Sequence, residues 1–280
     1  MHLSLMLLAV AIAWFVRLYG SGSQGTWSHR WQTTLGLFLF SPLLLLITAI
    51  AVLSMGSQGH MLGLSVGWIG YLLALSFLGT GAVLLVWLGG QGWRSIQHLQ
   101  SYPLVNRAGT AGRLLDTSIP YAAQIGFWQP TLVMSEGLLT TLQPDQLEAV
   151  LVHEQAHRYY RDTFWFFWLG WLRQLTVWLP HTEALWQELL LLRELRADRW
   201  AAQRVDPLLL AESLILMVKA PLVDVGHPCA AFNPVTPISR LEERIEALVE
   251  EPPTVESNLT GVARWMVLSL LPLLTIIFHT

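Results

Sequence analysis

Four long runs of apolar residues stand out along the chain, separated by more polar segments. They are Leu3 to about Tyr19, Leu35–Ser54, about Met61 to Leu88, and Val262–Phe278. A helix of about 20 apolar residues is long enough to cross a bilayer, so each run is a candidate membrane helix. The sequence therefore predicts three transmembrane helices within residues 1–88 and a fourth within residues 261–280.

Residues 89–260 hold most of the charged residues, and a segment of this length suffices for one water-facing domain. A helix is expected to begin at Pro144, because proline suits the first helical position and Asp145 favours the helix N-terminus. Ala123–Trp128 and Thr131–Met134 are predicted to form two short strands. The expected fold is mainly α: a multi-pass membrane protein with a small α+β domain.

Composition agrees with a membrane protein. In this chain 53% of the residues are hydrophobic and 12% are charged, whereas a soluble domain carries about 25% charged residues. The net charge of −3 provides no basic field for phosphates, so we expect no direct nucleic-acid binding. The one cysteine, Cys229, excludes an intrachain disulfide and any multi-cysteine metal site.

Loop charges predict the orientation of the apolar helices. Arg94, Arg107 and Arg113 follow the third apolar run, whereas the loop before that run holds no lysine or arginine. The positive-inside rule therefore places the N-terminus outside and residues 89–260 in the cytoplasm, at the plasma or inner membrane. The first run is expected to be a retained anchor, since no basic segment precedes it.

The pattern HExxH occurs within the predicted helix, at His153-Glu154-Gln155-Ala156-His157. His153 and His157 are four residues apart, so both imidazoles project from one face and can bind one Zn²⁺ ion. Glu154 is placed to act as the catalytic base that takes a proton from the attacking water. The alternative is a surface helix that carries two histidines by chance.

A second motif supplies the third protein ligand that a catalytic zinc ion commonly needs. Glu194 and Asp198 are four residues apart on one face of another predicted helix. Glu194 is the expected metal ligand, and Asp198 is expected to hold the far nitrogen of a ligand histidine. Alone, this segment could be a solvated helix, since Arg193, Arg196 and Arg199 are close by. The two motifs together favour one zinc site.

HExxH followed by Glu-x-x-Ala-Asp resembles the gluzincin metallopeptidases, and within them the BlaR/MecR-type membrane-embedded peptidases. The predicted membrane helices on both sides of the domain add to the resemblance. So do Pro130–Leu139 ahead of the zinc helix, Asp162 shortly after it, and Arg240–Leu248 before the last apolar run. The resemblance covers nearly the whole chain, and its specific part is the two metal motifs. The HtpX/CAAX-protease type, which shares both motifs, is the second relative.

The resemblance implies a zincin-like cytoplasmic metallopeptidase domain with one Zn²⁺ ion and the activity of a zinc metalloendopeptidase. It also implies a protein or peptide substrate, here a BlaI-type repressor that is cleaved for regulation. The alternatives are HtpX-like quality control of membrane proteins and a non-catalytic sensor or scaffold. Glu154 argues against the last, because a structural zinc site needs no base. The chain ends at Thr280, so no extracellular β-lactam sensor domain is expected.

A long apolar stretch, Phe164–Pro180, separates the two metal motifs. Because His157 and Glu194 must reach one ion on one side of the membrane, the number of crossings between them must be even. The return segment is too short and polar to span. Residues 164–179 are therefore predicted to form an interfacial helix on the lipid bilayer, with the zinc site close to the membrane surface. The alternative is a core helix.

Two further features concern the substrate. The zincins that this chain resembles bind substrate as an added strand, along an edge such as the predicted strand pair offers. His227, which follows Gly226 in a loop of the same domain, is a candidate for stabilising the oxyanion. The alternative for such a lone loop histidine is simple solvation.

Overall fold

A computed structural model describes residues 1–20, 25–58, 60–61, 64–65, 67–107, 109–219, 240–249 and 260–278. The helices are α1 (His2–Tyr19), α2 (Trp27–Met55), α3 (Trp68–Gln100), α4 (Glu136–Thr141), α5 (Pro144–Tyr159), α6 (Asp162–Leu175), α7 (Thr182–Ala202), α8 (Pro207–Lys219), α9 (Leu241–Val249) and α10 (Thr260–Ser269), followed by a 3-10 helix (Leu271–Phe278). The strands are β1 (His60–Met61), β2 (Leu64–Ser65), β3 (Leu104–Arg107), β4 (Thr110–Leu115), β5 (Ala122–Ile125) and β6 (Thr131–Ser135). The described chain is mostly helical with a small mixed sheet, as the sequence predicts.

The chain divides into two compact units. The first consists of Met1–Trp87, Trp171–Leu189 and Val255–Thr280, and the second of Leu88–Gly170 and Leu190–Thr254. Residues 171–189 pack with the apolar helices of the first unit. Within that unit, the indole N–H of Trp171 donates to the carbonyl oxygen of Gly81 at 2.8 Å.

Three described helices, α1, α2 and α3, are long and apolar enough to cross a membrane. They contain 18, 29 and 33 residues respectively. Two of them extend past the predicted apolar runs: α2 begins at Trp27 rather than Leu35, and α3 continues to Gln100. The extension is expected physically, since glutamine and arginine are good helix formers and do not end a helix. The three helices indicate that the protein associates with a membrane.

The third helix also begins later than its apolar run suggests. Residues 60–61 pair with residues 64–65 in a short antiparallel hairpin, and α3 starts only at Trp68. Hydrophobicity alone does not distinguish an apolar hairpin from the first turns of an apolar helix. The predicted start near Met61 is therefore wrong by about two helical turns.

Close contacts in the first unit hold α2 against α1 and α10. A Cβ atom at Gly36 would lie 2.3 Å from Cδ1 of Trp265, so the absence of a side chain allows the indole to pack there. The rings of Trp265 and Phe40 are 5.0 Å apart and meet edge to face. Arg17 of α1 is buried and donates to the carbonyl oxygen of Phe38 at 3.1 Å.

The last apolar run is not one continuous α-helix. α10 ends at Ser269 and a 3-10 helix follows from Leu271 to Phe278, where the sequence predicts a single helix over Val262–Phe278. Pro272 explains the change, because its ring clashes with the preceding turn and it has no N–H to donate. The described α-helical part is thus shorter than a membrane-spanning helix.

The second unit contains a four-stranded sheet with the order β3-β4-β6-β5. β4 and β6 are parallel, and the two edge strands are antiparallel to their neighbours. The two predicted strands do pair, since Ala122 faces Met134 and Ile125 faces Thr131, but the first ends at Ile125 rather than at Trp128. Gly126 has a φ of 138°, a conformation that favours glycine, at the point where the chain leaves β5. β5 therefore forms one edge of the sheet.

The two faces of this sheet are covered by different helices. On one face, Leu132 and Met134 pack in a buried cluster with Leu151 of α5. On the other face, Val133 packs in a cluster with Leu99 near the end of α3. Alternate residues of β6 thus face opposite sides, as strand geometry requires. The packing fixes α5, which carries the HExxH pattern, on the sheet.

α6 is shorter than the predicted helix at 164–179. It ends at Leu175, and the hydroxyl of Thr182 closes the following turn by donating to the carbonyl oxygen of Thr176 at 3.0 Å. Its buried apolar residues are Phe166, Phe167, Leu169, Leu172 and Leu175. Trp165 on the outer side is 58% exposed. The inner side of α6 therefore packs within the protein, as the core-helix alternative requires, while its outer side keeps an exposed aromatic ring.

Candidate active site

α5 presents both histidines of the HExxH pattern on one face. The helix starts at Pro144 as predicted, and the N–H of Gln143 donates to Oε1 of Gln146 at 3.1 Å, which closes the first turn. His153 and His157 are buried, and their Nε2 atoms lie 3.2 Å apart. The two imidazoles therefore converge on one point, as a spacing of four residues allows.

α7 adds the carboxylate of Glu194 to the two imidazoles. Its Oε2 atom lies 3.4 Å from Nε2 of His153, and its Oε1 atom lies 3.7 Å from Nε2 of His157. One donor atom from each of the three residues lies within 4.8 Å of the others. The structure thus brings the three expected ligands into one group that is able to hold a metal ion.

The spacing of these donor atoms suits a tetrahedral zinc ion. Two ligand atoms about 2.1 Å from one ion, at the tetrahedral angle, lie about 3.4 Å apart. The two Nε2 atoms are 3.2 Å apart, and the Glu194 oxygens lie 3.4 Å (Oε2) from Nε2 of His153 and 3.7 Å (Oε1) from Nε2 of His157. One donor atom from each residue lies within 4.8 Å of the others, which leaves room for an ion between them. Two imidazole nitrogens and one carboxylate oxygen are also a donor set of catalytic zinc sites, in which a fourth position remains for water. The residues present therefore fit Zn²⁺.

Glu154 follows the first histidine in α5 and is 7% exposed. Its Oε2 atom is buried and has no hydrogen-bond partner among the described residues. Burying a polar group without a partner costs about 1–3 kcal/mol, so such an oxygen is uncommon unless it has a use. It is free to accept a proton from a water molecule in the site, which is what the expected catalytic base must do.

Each ligand histidine has its other ring nitrogen next to an aspartate. Nδ1 of His153 lies 2.9 Å from Oδ1 of Asp198 on α7, where the sequence analysis expects it. Nδ1 of His157 lies 2.7 Å from Oδ2 of Asp162 at the start of α6. An aspartate in this position fixes the tautomer of the imidazole, so that Nε2 is the atom available to a metal.

The role of Asp162 was missed from the sequence, which indicated only that an acidic residue follows the zinc helix. Arg161 adopts a left-handed conformation with a φ of 55°, and this sharp turn separates α5 from α6. The turn returns Asp162 to the histidine five residues before it. The sequence signal that could have identified Asp162 is a carboxylate that follows the second histidine after one short turn.

Arginines bind the carboxylates of the site. Arg193 donates to Oε1 of Glu194 at 2.6 and 2.9 Å, and Arg196 donates to Oδ1 of Asp162. The alternative of a solvated helix is wrong for this face of α7, because Arg193 is 5% exposed and Glu194 is 6% exposed. The arginines that suggested an exposed helix instead form ion pairs with carboxylates within the protein.

Arg244 of α9 is a further residue of the site that sequence reasoning missed. It donates to Oδ2 and Oδ1 of Asp198 at 2.7 and 2.8 Å, and its Nη1 atom lies 3.4 Å from Oε2 of Glu194. The sequence included this arginine only in the segment that supports the family resemblance. Its 46-residue separation from Asp198 places the contact beyond any helical spacing rule.

The surrounding charges control protonation in the metal-free protein. Burial lowers the pKa of His157, but the carboxylates of Glu194 and Asp162 outweigh burial and raise that pKa to about 10. Burial likewise lowers the pKa of His153, and Asp198 raises it above its ordinary value. Burial raises the pKa of Glu194, but Arg193 leads the charges that bring it well below the usual range. The carboxylate of Glu194 is therefore ionised and suited to a cation.

The structure places most of the residues that the sequence singles out. The residues that converge are His153, His157, Glu194 and Asp198, and Glu154 lies next to the first of them in α5. His227, the candidate for stabilising the oxyanion, lies outside the described residues.

A histidine pair on a helix beneath a small mixed sheet, joined by a carboxylate from a later helix, is typical of a metallopeptidase. Residues 109–213 match the profile of Peptidase family M48. The matched segment contains His153, Glu154, His157, Glu194 and Asp198. The match supports a zinc-dependent metallopeptidase. No curated protein and no solved structure matches the chain.

Proposed function

We propose that this protein is a membrane-embedded zinc endopeptidase that hydrolyses peptide bonds of a protein substrate at the cytoplasmic face of the plasma or inner membrane. One observation carries the proposal: His153, His157 and Glu194 offer donor atoms within 4.8 Å of one another. The adjacent Glu154 keeps a buried oxygen without a partner among the described residues. A purely structural zinc site would have no use for that oxygen.

In this proposal the chain's own residues bind, orient and move a proton. The three ligands would hold Zn²⁺, which when bound lowers the pKa of a water molecule towards about 7 and polarises a carbonyl group. Glu154 accepts the proton of the attacking water and then donates it to the leaving amine. Asp198 and Asp162 keep the imidazoles directed by holding their Nδ1 atoms.

The substrate would bind along β5 as an extended peptide. β5 is an edge strand of the described sheet, and an extended peptide adds to a sheet at such an edge by β-addition. Ala122 of this strand belongs to the same buried cluster as Val150 and Leu151 of α5. This shared packing fixes the distance between β5 and α5. A peptide paired with β5 would therefore hold its scissile bond at a fixed distance from the catalytic residues on α5.

We propose regulatory cleavage of a cytoplasmic BlaI-type repressor as the physiological role, because the chain resembles the antirepressor peptidases. The cytoplasmic position rests on Arg94, Arg107 and Arg113 after the third apolar run. HtpX-like removal of damaged membrane proteins would use the same catalytic residues. Cells that express the wild-type chain or Glu154→Gln separate these roles: one soluble cleaved protein supports the first, and many unfolded membrane proteins support the second.

The outer side of α6 is proposed to lie at the membrane–water interface. Trp128 and Trp165 are 65% and 58% exposed, and both rings pack against Phe164 at centroid distances of 5.3 and 5.1 Å. The guanidinium of Arg161 lies 5.6 Å from the ring of Trp128. Tryptophan rings and arginine side chains are typical of the headgroup level of a bilayer.

The catalytic proposal is tested with purified full-length protein in detergent and an unfolded protein such as casein as substrate. Glu154→Gln should retain zinc while the cleavage rate falls by at least about 100-fold, because a positioned general base contributes at least that much. The matched control is Glu148→Gln, an exposed position on the same helix, which should cleave at the wild-type rate. Cleavage retained by Glu154→Gln would exclude Glu154 as the base.

A further inference from the structure

α9 contributes one polar side chain to the candidate metal site from outside the two helices that carry the ligands. We infer that Arg244 is a positioning residue: it holds Asp198 in the orientation that directs His153, and it fixes Asp198 relative to Glu194. The inference rests on the proposed zinc site and goes beyond it, because Arg244 lies on neither metal motif. It does not make Arg244 a ligand or a catalytic residue.

The geometry of the contact is that of an orienting group. The guanidinium of Arg244 donates from Nε and Nη2 to the two oxygens of Asp198 at 2.7 and 2.8 Å. This two-point contact fixes the plane of the carboxylate as well as its position, which a single hydrogen bond does not do. Oδ1 of the same carboxylate lies 2.9 Å from Nδ1 of His153. The carboxylate that Arg244 holds is therefore the one that lies next to the imidazole.

Arg244 also reaches a proposed metal ligand. Its Nη1 atom lies 3.4 Å from Oε2 of Glu194, the oxygen that faces Nε2 of His153 at the same distance of 3.4 Å. One guanidinium thus contacts two carboxylates that are a helical turn apart on α7. Without Arg244, the buried carboxylates of Asp198 and Glu194 would have less positive charge near them, and both side chains would gain rotational freedom.

Arg244 is anchored by the apolar packing of its helix, which is separate from the ion pairs of the site. α9 packs through Leu248, Leu241 and Ile245 in an apolar cluster that also contains Leu210 and Ala149. The apolar packing holds the backbone of α9, so the guanidinium meets α7 from a fixed point. A group held by a separate helix restricts the positions that the ligand side chains can adopt.

The two possible roles of Arg244, as an orienting group and as a positive charge, predict opposite changes in zinc affinity when the residue is replaced. A positive charge near the site opposes a cation, so if Arg244 acted by charge alone, its removal would strengthen zinc binding. If it acts by orienting Asp198, its removal weakens zinc binding, since groups that orient ligand histidines typically contribute about 10–100-fold to metal affinity. The direction of the change therefore separates the two roles.

The experiment measures zinc affinity by chelator competition on the full-length chain in detergent, with the visible spectrum of bound Co²⁺ as a readout of site geometry. Arg244→Gln should weaken zinc binding by about 10–100-fold and change the cobalt spectrum. Arg244→Lys keeps the charge and loses the planar two-point contact, so it should also weaken binding. Unchanged or tighter zinc binding in both variants would overturn the inference.

A packing control and a double variant complete the test. Leu248→Ala loosens the apolar contacts of α9 but keeps the guanidinium, so it should lower the melting temperature and weaken zinc binding clearly less than Arg244→Gln does. If Leu248→Ala weakened zinc binding as much as Arg244→Gln, Arg244 would act only through helix packing and the inference would fail. Combining Arg244→Gln with Asp198→Asn should weaken binding by less than the two single losses combined, because both act through Asp198, whereas fully additive losses would also overturn the inference.

The wild-type protein separates this inference from the proposed function. If wild type binds zinc and cleaves while the Arg244 variants match it, the inference alone fails. If wild type binds no zinc, both fail.

Discussion

Nδ1 of His157 lies 2.7 Å from Oδ2 of Asp162, and the two residues are on consecutive helices, α5 and α6. The chain between them is only a tight turn, with Arg161 in a left-handed conformation. The helix that carries the histidine and the helix that follows it are therefore coupled at the proposed metal site. In the proposed zinc site, the start of the apolar helix α6 would therefore orient the imidazole of His157.

Asp162→Asn should weaken zinc binding by about 10–100-fold, because an amide no longer holds Nδ1 of His157 with a charged acceptor. Chelator competition on the purified protein measures the change. The matched control is Asp145→Asn in the first turn of α5, where the side chain is exposed and zinc affinity should not change. Equal affinities for both variants would show that Asp162 does not orient the histidine.

Glu194→Ala should remove zinc from the purified protein, since two imidazoles alone hold the ion weakly. The change also removes a buried carboxylate that Arg193 and Arg244 contact, which destabilises the fold. Glu194→Gln is therefore the companion variant, because it keeps the size of the side chain. Metal analysis after gel filtration measures zinc per chain. A full complement of zinc in folded Glu194→Gln would mean that another residue is the third ligand.

Zinc binding should release at least one proton near neutral pH. Burial lowers the pKa of His157, but Glu194 and Asp162 raise it to about 10, so the metal-free imidazole is protonated and must lose its proton to bind. Zinc affinity should consequently rise with pH, by up to about tenfold per pH unit for one proton. Calorimetric titration in buffers of different ionisation enthalpy counts the protons. A binding enthalpy independent of the buffer would contradict this prediction.

The raised pKa of His157 also determines whether the free energy of unfolding of the metal-free protein rises or falls with pH. The pKa of His157 is raised from 6.5 to about 10 on folding, so its contribution is fully present below 6.5 and is lost as the pH rises towards 10. The free energy of unfolding should fall over this window by at most about 1.4 kcal/mol per pH unit from this group. Denaturant titrations of metal-free protein at several pH values measure it, and saturating zinc should abolish this dependence.

The sequence was sufficient for the parts of the site that obey local spacing rules. Histidines four residues apart on one helix must share a face, and the same rule connects Glu194 to Asp198. The helix start at Pro144 and the pairing of the two predicted strands on either side of Gln129-Pro130 also follow from local chemistry. These features are correct in the structure because each depends on a few neighbouring residues.

The parts that were missed depend on the tertiary fold. Arg244 reaches Asp198 from another helix, and nothing in the local pattern of α9 indicates that contact. The sequence around Arg193 is also that of an exposed charged helix. Only the structure shows that Arg193 is buried next to Glu194. The break in the last apolar run has a local cause in Pro272, but counting apolar residues does not detect it.

Gly36→Ala should destabilise the first unit, because its Cβ atom would lie 2.3 Å from Cδ1 of Trp265. Overpacking of this kind typically costs about 1–3 kcal/mol. The matched control is Gly79→Ala in α3, where the added Cβ meets nothing within 4 Å and alanine is the better helix former. Thermal unfolding in detergent compares the two variants. A melting temperature that falls equally in both would contradict the close contact at Gly36.

An interfacial position for the outer side of α6 predicts that position 165 contacts lipid. The side chain of Trp165 is 58% exposed in the chain itself, so a spin label in its place should remain outside the protein core. In a Cys229→Ser background, Trp165→Cys carries the label, and Glu246→Cys on an exposed position of α9 is the control. In nanodiscs, the label at 165 should be more accessible to oxygen, which partitions into lipid, than to a water-soluble nickel complex. If both labels showed the same preference for the nickel complex, α6 would face water and the interfacial proposal would be wrong, while the zinc site would stand unchanged.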